Sequence, residues 1–311
     1  MSPAALRIAS APVSFGVDEV LMDDAWMPEP VPMLDWMVDI GYTGTELGPP
    51  GYLGDGGEVR ERLTARNLDL VGSFIPQHFS RREKADEDRA VLDYQIRLVQ
   101  KGAPAGSRPL AILSDHFDEP DRIAFAGRIA GHRETWLPDD RFEALIDNIH
   151  RAAEVCRTAG LEPVIHPHAA TYIETADEIA RVMDRLDPSL VGLCLDTGHF
   201  RFGGADPAAA VADYWELVRH VHIKDCRTAV IDEVDALGEG LPEALKRGVF
   251  CPLGEGDADI PAVIAALRAR DYAGWLVVEQ DQALGPDDTL ESVVARQRFN
   301  LEHLRGLLDS R

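Results

Sequence analysis

One pattern constrains the fold more than any other. Short apolar runs alternate with amphipathic stretches from one end of the chain to the other. The runs are LRIASAP (6–12), GTELG (44–48), DLVGSFI (69–75), PLAILSD (109–115), PVIHPH (163–168), VGLCLD (191–196), HVHIKD (220–225) and WLVVEQD (275–281). Most are apolar almost throughout, as strands covered on both faces must be. Strand then helix, repeated in this way, predicts an α/β fold: a single (β/α)8 TIM barrel over residues 1–311. A doubly wound open sheet is the competing fold, disfavoured because no G-x-G-x-x-G follows any run.

The stretches between the runs carry helix signals. In RFEALIDNIHRAAEVCRTAG, the residues Phe142, Leu145, Ile146, Ile149, Ala152, Ala153 and Cys156 recur at helical spacing, and Gly160 closes the segment. Thr175 with Glu178 predicts a capping box opening the next helix. DPAAAVADYWELVRH and IPAVIAALRARDY each place Pro in the first turn. The longest irregular connection, Arg227 to Pro252, is expected to form an insertion after the seventh strand, over about 227–257, with a short helix near Leu241–Lys246.

Charge narrows the partners. Against 31 Lys and Arg stand 54 Asp and Glu, a formal charge of −23. So acidic a surface repels phosphate backbones and anionic lipid, so neither nucleic acid nor membrane is expected as a partner. A small molecule is. MSPAALRIASAP lacks the apolar core of a signal peptide, and no run of about 18 apolar residues spans a membrane. Cys156, Cys194, Cys226 and Cys251 form no C-x-x-C pair and read as reduced thiols of a cytoplasmic protein.

In such a barrel, functional groups sit at the C-terminal ends of strands. Polar residues gather there run after run: Glu46; Gln77 and His78; Asp115 and His116; His166 and His168; Asp196 and His199; His222, Lys224 and Asp225; Glu279 and Asp281. Each alone has a plainer explanation. An Asp at a strand end usually caps a helix, His220 reads as a buried core histidine, and Asp225 as a loop cap or a partner of Lys224. His78, His116 and His150 read as surface residues. Four successive strands ending in carboxylate or imidazole are harder to explain by capping. Together they suit a divalent transition metal such as Mn²⁺, Co²⁺, Zn²⁺ or Fe²⁺, with His166 or His168, Asp196, His222 and Glu279 as ligands.

The stretches GYTGTELGPPGYLGD (41–55), HPHAATYIET (166–175), LDTGHFRFGGADP (195–207), HVHIKDCR (220–227), GVFCPLGEGDADI (248–260) and YAGWLVVEQD (272–281) carry a resemblance. In order and over most of the chain, they resemble the xylose-isomerase-like barrel superfamily of sugar isomerases and epimerases, and within it the inosose (2-keto-myo-inositol) dehydratases. The resemblance implies a mononuclear metal, Mn²⁺ or Co²⁺ ahead of Mg²⁺, Zn²⁺ or Fe²⁺, bound by one side chain from each of the last four strands. Isomerases and epimerases of the superfamily keep Glu on strand five, where this chain has His166. Asp196, His222 and Glu279 match the other ligands, and His199 matches a substrate-side histidine. Homo-oligomers fit the superfamily too. Its endonuclease-IV-type repair enzymes do not fit a charge of −23. The last strand reads VVEQDQ where inosose dehydratases usually read V-E-A-E-Q-D, which leaves the role of Asp281 open.

The expected chemistry is elimination of water from a 2-keto polyol through a metal-stabilised enediolate. Glu279 is the base, and His168, His199 and Lys224 serve as acids or hold hydroxyls. Glu46 binds hydroxyls from the opposite wall. A strand-five His removes one carboxylate base, which favours a lyase over a two-base epimerase. A ketose isomerase or epimerase is the alternative, ahead of a barrel that binds sugar without catalysis.

Overall fold

The computed structural model describes residues 6–17, 26–282, 284–285 and 288–310. Eight parallel strands close into one barrel: β1 (Arg7–Ser10), β2 (Gly44–Glu46), β3 (Asp69–Gln77), β4 (Leu110–Asp115), β5 (Glu162–His166), β6 (Gly192–Asp196), β7 (Val218–Ile223) and β8 (Trp275–Val278). They follow one another around the wall in chain order, and β8 closes the ring by pairing with both β7 and β1. The main outer helices are α1 (Pro30–Ile40), α2 (Gly56–Thr64), α3 (Ala85–Gly102), α4 (Asp139–Thr158), α5 (Ala176–Met183), α6 (Pro207–Asp213), α7 (Ile260–Arg268) and α8 (Leu290–Asp309).

Strand alternation sorts the side chains. Ile165, Leu193, Leu195, Val221, Ile223, Leu276 and Val278 belong to the large core between barrel and helices. Ile112, Val164 and Cys194 form one small cluster, and Ala9, Val71 and Val277 another. A period of two puts His166 on the side of Val164, Asp196 on that of Cys194, and Glu279 on that of Val277. The expected apolar positions of α4 are all buried, and Gly160 follows its end at φ 81°. The Thr175–Glu178 capping box is formed at α5.

The boundaries differ from the expected ones for identifiable reasons. β1 stops at Ser10, before a turn of 3₁₀ helix over Pro12–Phe15, and β5 stops at His166, because Pro167 has no N–H for the ladder. β8 ends at Val278, so Glu279–Asp281 continue as loop. The helix expected to reach residue 220 stops at Asp213, and β7 begins at Val218.

The insertion after β7 is less irregular than expected. It holds helices Thr228–Leu237 and Leu241–Lys246 and a two-stranded antiparallel ribbon, Asp225–Cys226 with Phe250–Cys251. Phe202, Cys226, Ile231, Val234, Leu241 and Phe250 bury a second core beneath it. Asp225 is the loop cap of its two sequence readings: its carboxylate accepts from the N–H groups of Gly254, Gly256 and Ala258, while the Lys224 ammonium pairs with Asp196, Glu279 and Asp281. Among the described residues no helix is long and apolar enough to cross a membrane.

Candidate active site

The C-terminal ends of β5 to β8 converge on one buried cluster. Asp196 divides its carboxylate between two tasks. Oδ1 caps the helix Thr197–Phe202 by accepting from the N–H groups of Gly198 and His199 at 2.8 and 2.9 Å. Oδ2 stands 3.5 Å from His166 Nε2 and 3.5 Å from His222 Nδ1, and His222 Nδ1 is 3.0 Å from Glu279 Oε2. His166 Nε2, His222 Nδ1 and Asp196 Oδ2 are buried and make no hydrogen bond, Asp196 Oδ2 having only the Lys224 ammonium 3.1 Å away as an ion-pair partner. Such orphaned groups are costly unless something else satisfies them.

A divalent ion would satisfy them. Ligand atoms about 2.1 Å from a common centre lie roughly 3.0–3.4 Å apart in octahedral or tetrahedral arrangement, close to the spacings found here. Burial pushes the His166 imidazole down to about 4, so it is the neutral, lone-pair-bearing form that metals bind. His168 lies outside this group of atoms.

Glu46 has a different place from the expected one. Its Oε1 accepts from Nε2 of His220 at 2.8 Å and of His222 at 2.9 Å. Burial alone would raise this carboxylate, but the two imidazoles hold it well below the usual range. An acceptor at Nε2 fixes a proton there and turns Nδ1 toward Asp196 and Glu279. Burial alone would lower the imidazole, but these carboxylates and Glu46 hold it well above its ordinary value, and a bound ion would take the place of the Nδ1 proton. Glu46 lines the cavity, yet this oxygen orients a histidine instead of holding a substrate hydroxyl. His220 is the buried, hydrogen-bonded histidine anticipated.

Lys224 stands beside the ring of ligand atoms. Its Nζ is 3.1 Å from Asp196 Oδ2, 3.0 Å from Glu279 Oε2 and 2.8 Å from Asp281 Oδ1. Burial alone would lower the ammonium, but Asp196, Asp281 and Glu279 hold it well above its ordinary value. Gly198 makes room for it, since a Cβ at that position would lie 2.5 Å from Lys224 Cγ. His199 Nδ1 accepts from the Ala169 N–H at 3.3 Å, so Nε2 faces Lys224 Nζ at 3.0 Å and Asp281 Oδ2 at 3.3 Å. Asp281, whose role the sequence left open, contacts both groups.

His168 was expected to act as an acid or to hold a hydroxyl. Its Nδ1 is 2.9 Å from the Ala169 carbonyl, so that nitrogen carries the proton and Nε2 is the acceptor. Burial and the neighbouring His199 and His166 hold the ring neutral, well below its ordinary value. It can therefore accept a hydrogen bond at Nε2, which fits the second of its two expected roles, holding a hydroxyl. Its loop is pinned by buried groups: Asp115 accepts from Tyr172 N–H, Glu174 from Ala170 N–H, and Arg122 bridges Glu178 and the Thr171 carbonyl. These hold Ala170 at φ 62°, a conformation a non-glycine residue adopts only under constraint. Asp115 is thus structural.

His78 and His116 are not surface residues in the simple sense. They stack face to face at 4.1 Å, with His78 Nδ1 on Asp88, away from the cavity. Sequence reasoning missed the apolar part of the cavity, including Phe117 and Ile123, because no motif marks them.

Residues 34–297 match the family described as xylose isomerase-like TIM barrel. The chain belongs to that family. An inosose dehydratase of Geobacillus kaustophilus is 34% identical over 89% of this chain and 87% of its own length, which makes this a dehydratase-like member. Among solved structures, the IolI protein with a bound zinc atom superposes with a TM-score of 0.70 at 13% identity, over 97% of this chain and 98% of that one. A probable 3-DHS dehydratase of Bacillus anthracis gives 0.63 at 14% identity, over 98% and 100%. At such identities these two structures speak for the barrel alone.

Proposed function

We propose that this family member is a metal-dependent carbon–oxygen lyase that removes water from a 2-keto polyol such as 2-keto-myo-inositol. The observation that carries the reading is the set of buried atoms on His166, Asp196 and His222 that make no hydrogen bond, beside Glu279, with Lys224 and His199 against them. The inosose dehydratase relative supports the choice of substrate class.

His166, Asp196, His222 and Glu279 would hold the ion, Mn²⁺ or Co²⁺ ahead of Mg²⁺, Zn²⁺ or Fe²⁺. When bound, the ion supplies Lewis-acid polarisation of the substrate carbonyl, which acidifies the adjacent C–H. Glu279 lines the cavity and takes that proton, with the Lys224 ammonium 3.0 Å from its Oε2. The β-hydroxyl leaves as water on receiving a proton from the His199–Lys224 pair, which Asp281 keeps in register. His168 Nε2 accepts from a substrate hydroxyl. A single carboxylate base with an acid pair suits elimination better than exchange of protons at both faces. The buried free thiols Cys156, Cys194, Cys226 and Cys251 support a reducing, cytoplasmic setting.

The test is direct. Metal-loaded protein incubated with 2-keto-myo-inositol should form the conjugated dione, read by absorbance and by loss of one water in the mass spectrum. Glu279→Gln should abolish it. No water loss from fully metal-loaded protein would overturn the proposal.

A further inference from the structure

Above the polar floor, the cavity of about 200 Å³ turns apolar. Among the described residues, every ionisable or hydrogen-bonding side chain that lines it belongs to the floor described above. The upper part is built from Val13, Phe117, Ile123, Leu241 and Leu245, while Phe74 stands beside His166 at the floor. Two of these come from the insertion helix Leu241–Lys246 and one from the short helix Pro120–Ala124. The roof is fixed in place. Leu241 is buried in the insertion's own core with Phe250 and Val234, and Phe117, Ile123 and Leu245 pack against that core.

A ring with a hydroxyl on every carbon is poorly served by such a roof. The floor can satisfy a carbonyl and the hydroxyls nearest it. Those on the far side would lie against aliphatic and phenyl groups, where an unpaired hydroxyl costs free energy. An apolar group there would instead exchange water for matching surface.

Resting on the lyase reading, we infer that the substrate is amphiphilic: a keto polyol that carries an apolar, ring-sized substituent remote from its ketone. The keto end meets the floor and the substituent fills the space between Phe117 and the insertion helix. The insertion after β7 is then the specificity element of this barrel.

The experiment compares two ligand pairs on the metal-loaded protein. One pair is myo-inositol and its phenyl ether, measured by calorimetry. The other is 2-keto-myo-inositol and the phenyl ether of that ketone at a hydroxyl remote from the carbonyl, measured by turnover. The phenyl ethers should bind at least tenfold more tightly, about 1.4 kcal/mol, with a matching fall in KM. Leu245→Ser and Ile123→Ser should each cut that preference at least threefold, while Leu237→Ser on the exposed outer face should not. Equal or weaker binding of the wild-type protein to the ethers would overturn the inference, as would a preference untouched by both cavity variants. Water loss from 2-keto-myo-inositol without any preference for the ether defeats the inference and leaves the lyase standing. Tighter binding of the ethers with water loss from neither ketone defeats the lyase reading alone.

Discussion

Replacing Glu46 by Gln tests how the site is held together. The side chain keeps its shape and can still accept at Oε1, so the fold is expected to survive, but the charge is gone. Two hydrogen bonds are affected, to His220 at 2.8 Å and to His222 at 2.9 Å. A hydrogen bond to a charged group contributes roughly 1.5–3 kcal/mol and a neutral one about 1. The exchange therefore loses about 1 kcal/mol per bond, or about 2 for the pair, part of which held His222 Nδ1 toward Asp196 and Glu279. The His222 share alone, about 1 kcal/mol, corresponds to roughly fivefold in a dissociation constant and the full 2 kcal/mol to about 30-fold, beside the 10–100-fold typical of residues that orient a metal ligand. The assay is competition for Mn²⁺ or Co²⁺ against a chromophoric chelator at neutral pH. Glu61→Gln, at an exposed position of α2, serves as control. The expected result is a metal Kd raised about 5- to 30-fold for Glu46→Gln and unchanged for Glu61→Gln. A Kd within threefold of wild type, with thermal unfolding unaltered, would refute the claim that Glu46 acts through His222.

Two further outcomes follow from the same geometry. His166→Ala removes an orphaned buried imidazole and should lower metal occupancy after equilibration and gel filtration, measured by elemental analysis; unchanged occupancy would remove His166 from the ligand set. Burial pushes Asp115 up to about 7, so the folded state keeps a proton that the unfolded chain releases near 4. This contribution to stability is complete below about pH 4 and is lost as pH rises to and through 7. Urea midpoints should therefore fall between pH 5 and 8, with a smaller fall in Asp115→Asn; Glu174, raised to about 7 by burial as well, keeps the slope from vanishing. Identical slopes in the two proteins would show that Asp115 is charged in the folded state throughout.

The barrel was legible because both faces of its strands are covered, which writes β5, β6 and β8 as apolar runs that end abruptly in His166, Asp196 and Glu279. Those endings point to the proposed metal site for the same reason, since imidazole and carboxylate rarely close four successive buried strands. What stayed hidden depends on contacts between distant segments. Glu46 and His222 are far apart in sequence, and only barrel closure brings Oε1 to Nε2. The proton on His168 Nδ1 is set by the neighbouring Ala169 carbonyl, which no residue type announces. Asp281 lies beyond the end of β8, where the pairing pattern no longer fixes direction. The cavity roof was unreadable because Ile123, Leu241 and Leu245 are apolar residues in short helices, indistinguishable in sequence from ordinary core. The short helix at Leu241–Lys246 was itself expected from the sequence and is formed.

The central claim is that this site eliminates water, and the most direct measurement is the fate of 2-keto-myo-inositol incubated with metal-loaded protein in D₂O and followed by proton NMR. The account predicts conversion to the dione, without epimer formation, and loss of that conversion in Glu279→Gln. Accumulation of a deuterated epimer of the starting ketone, with no dione formed, would contradict it.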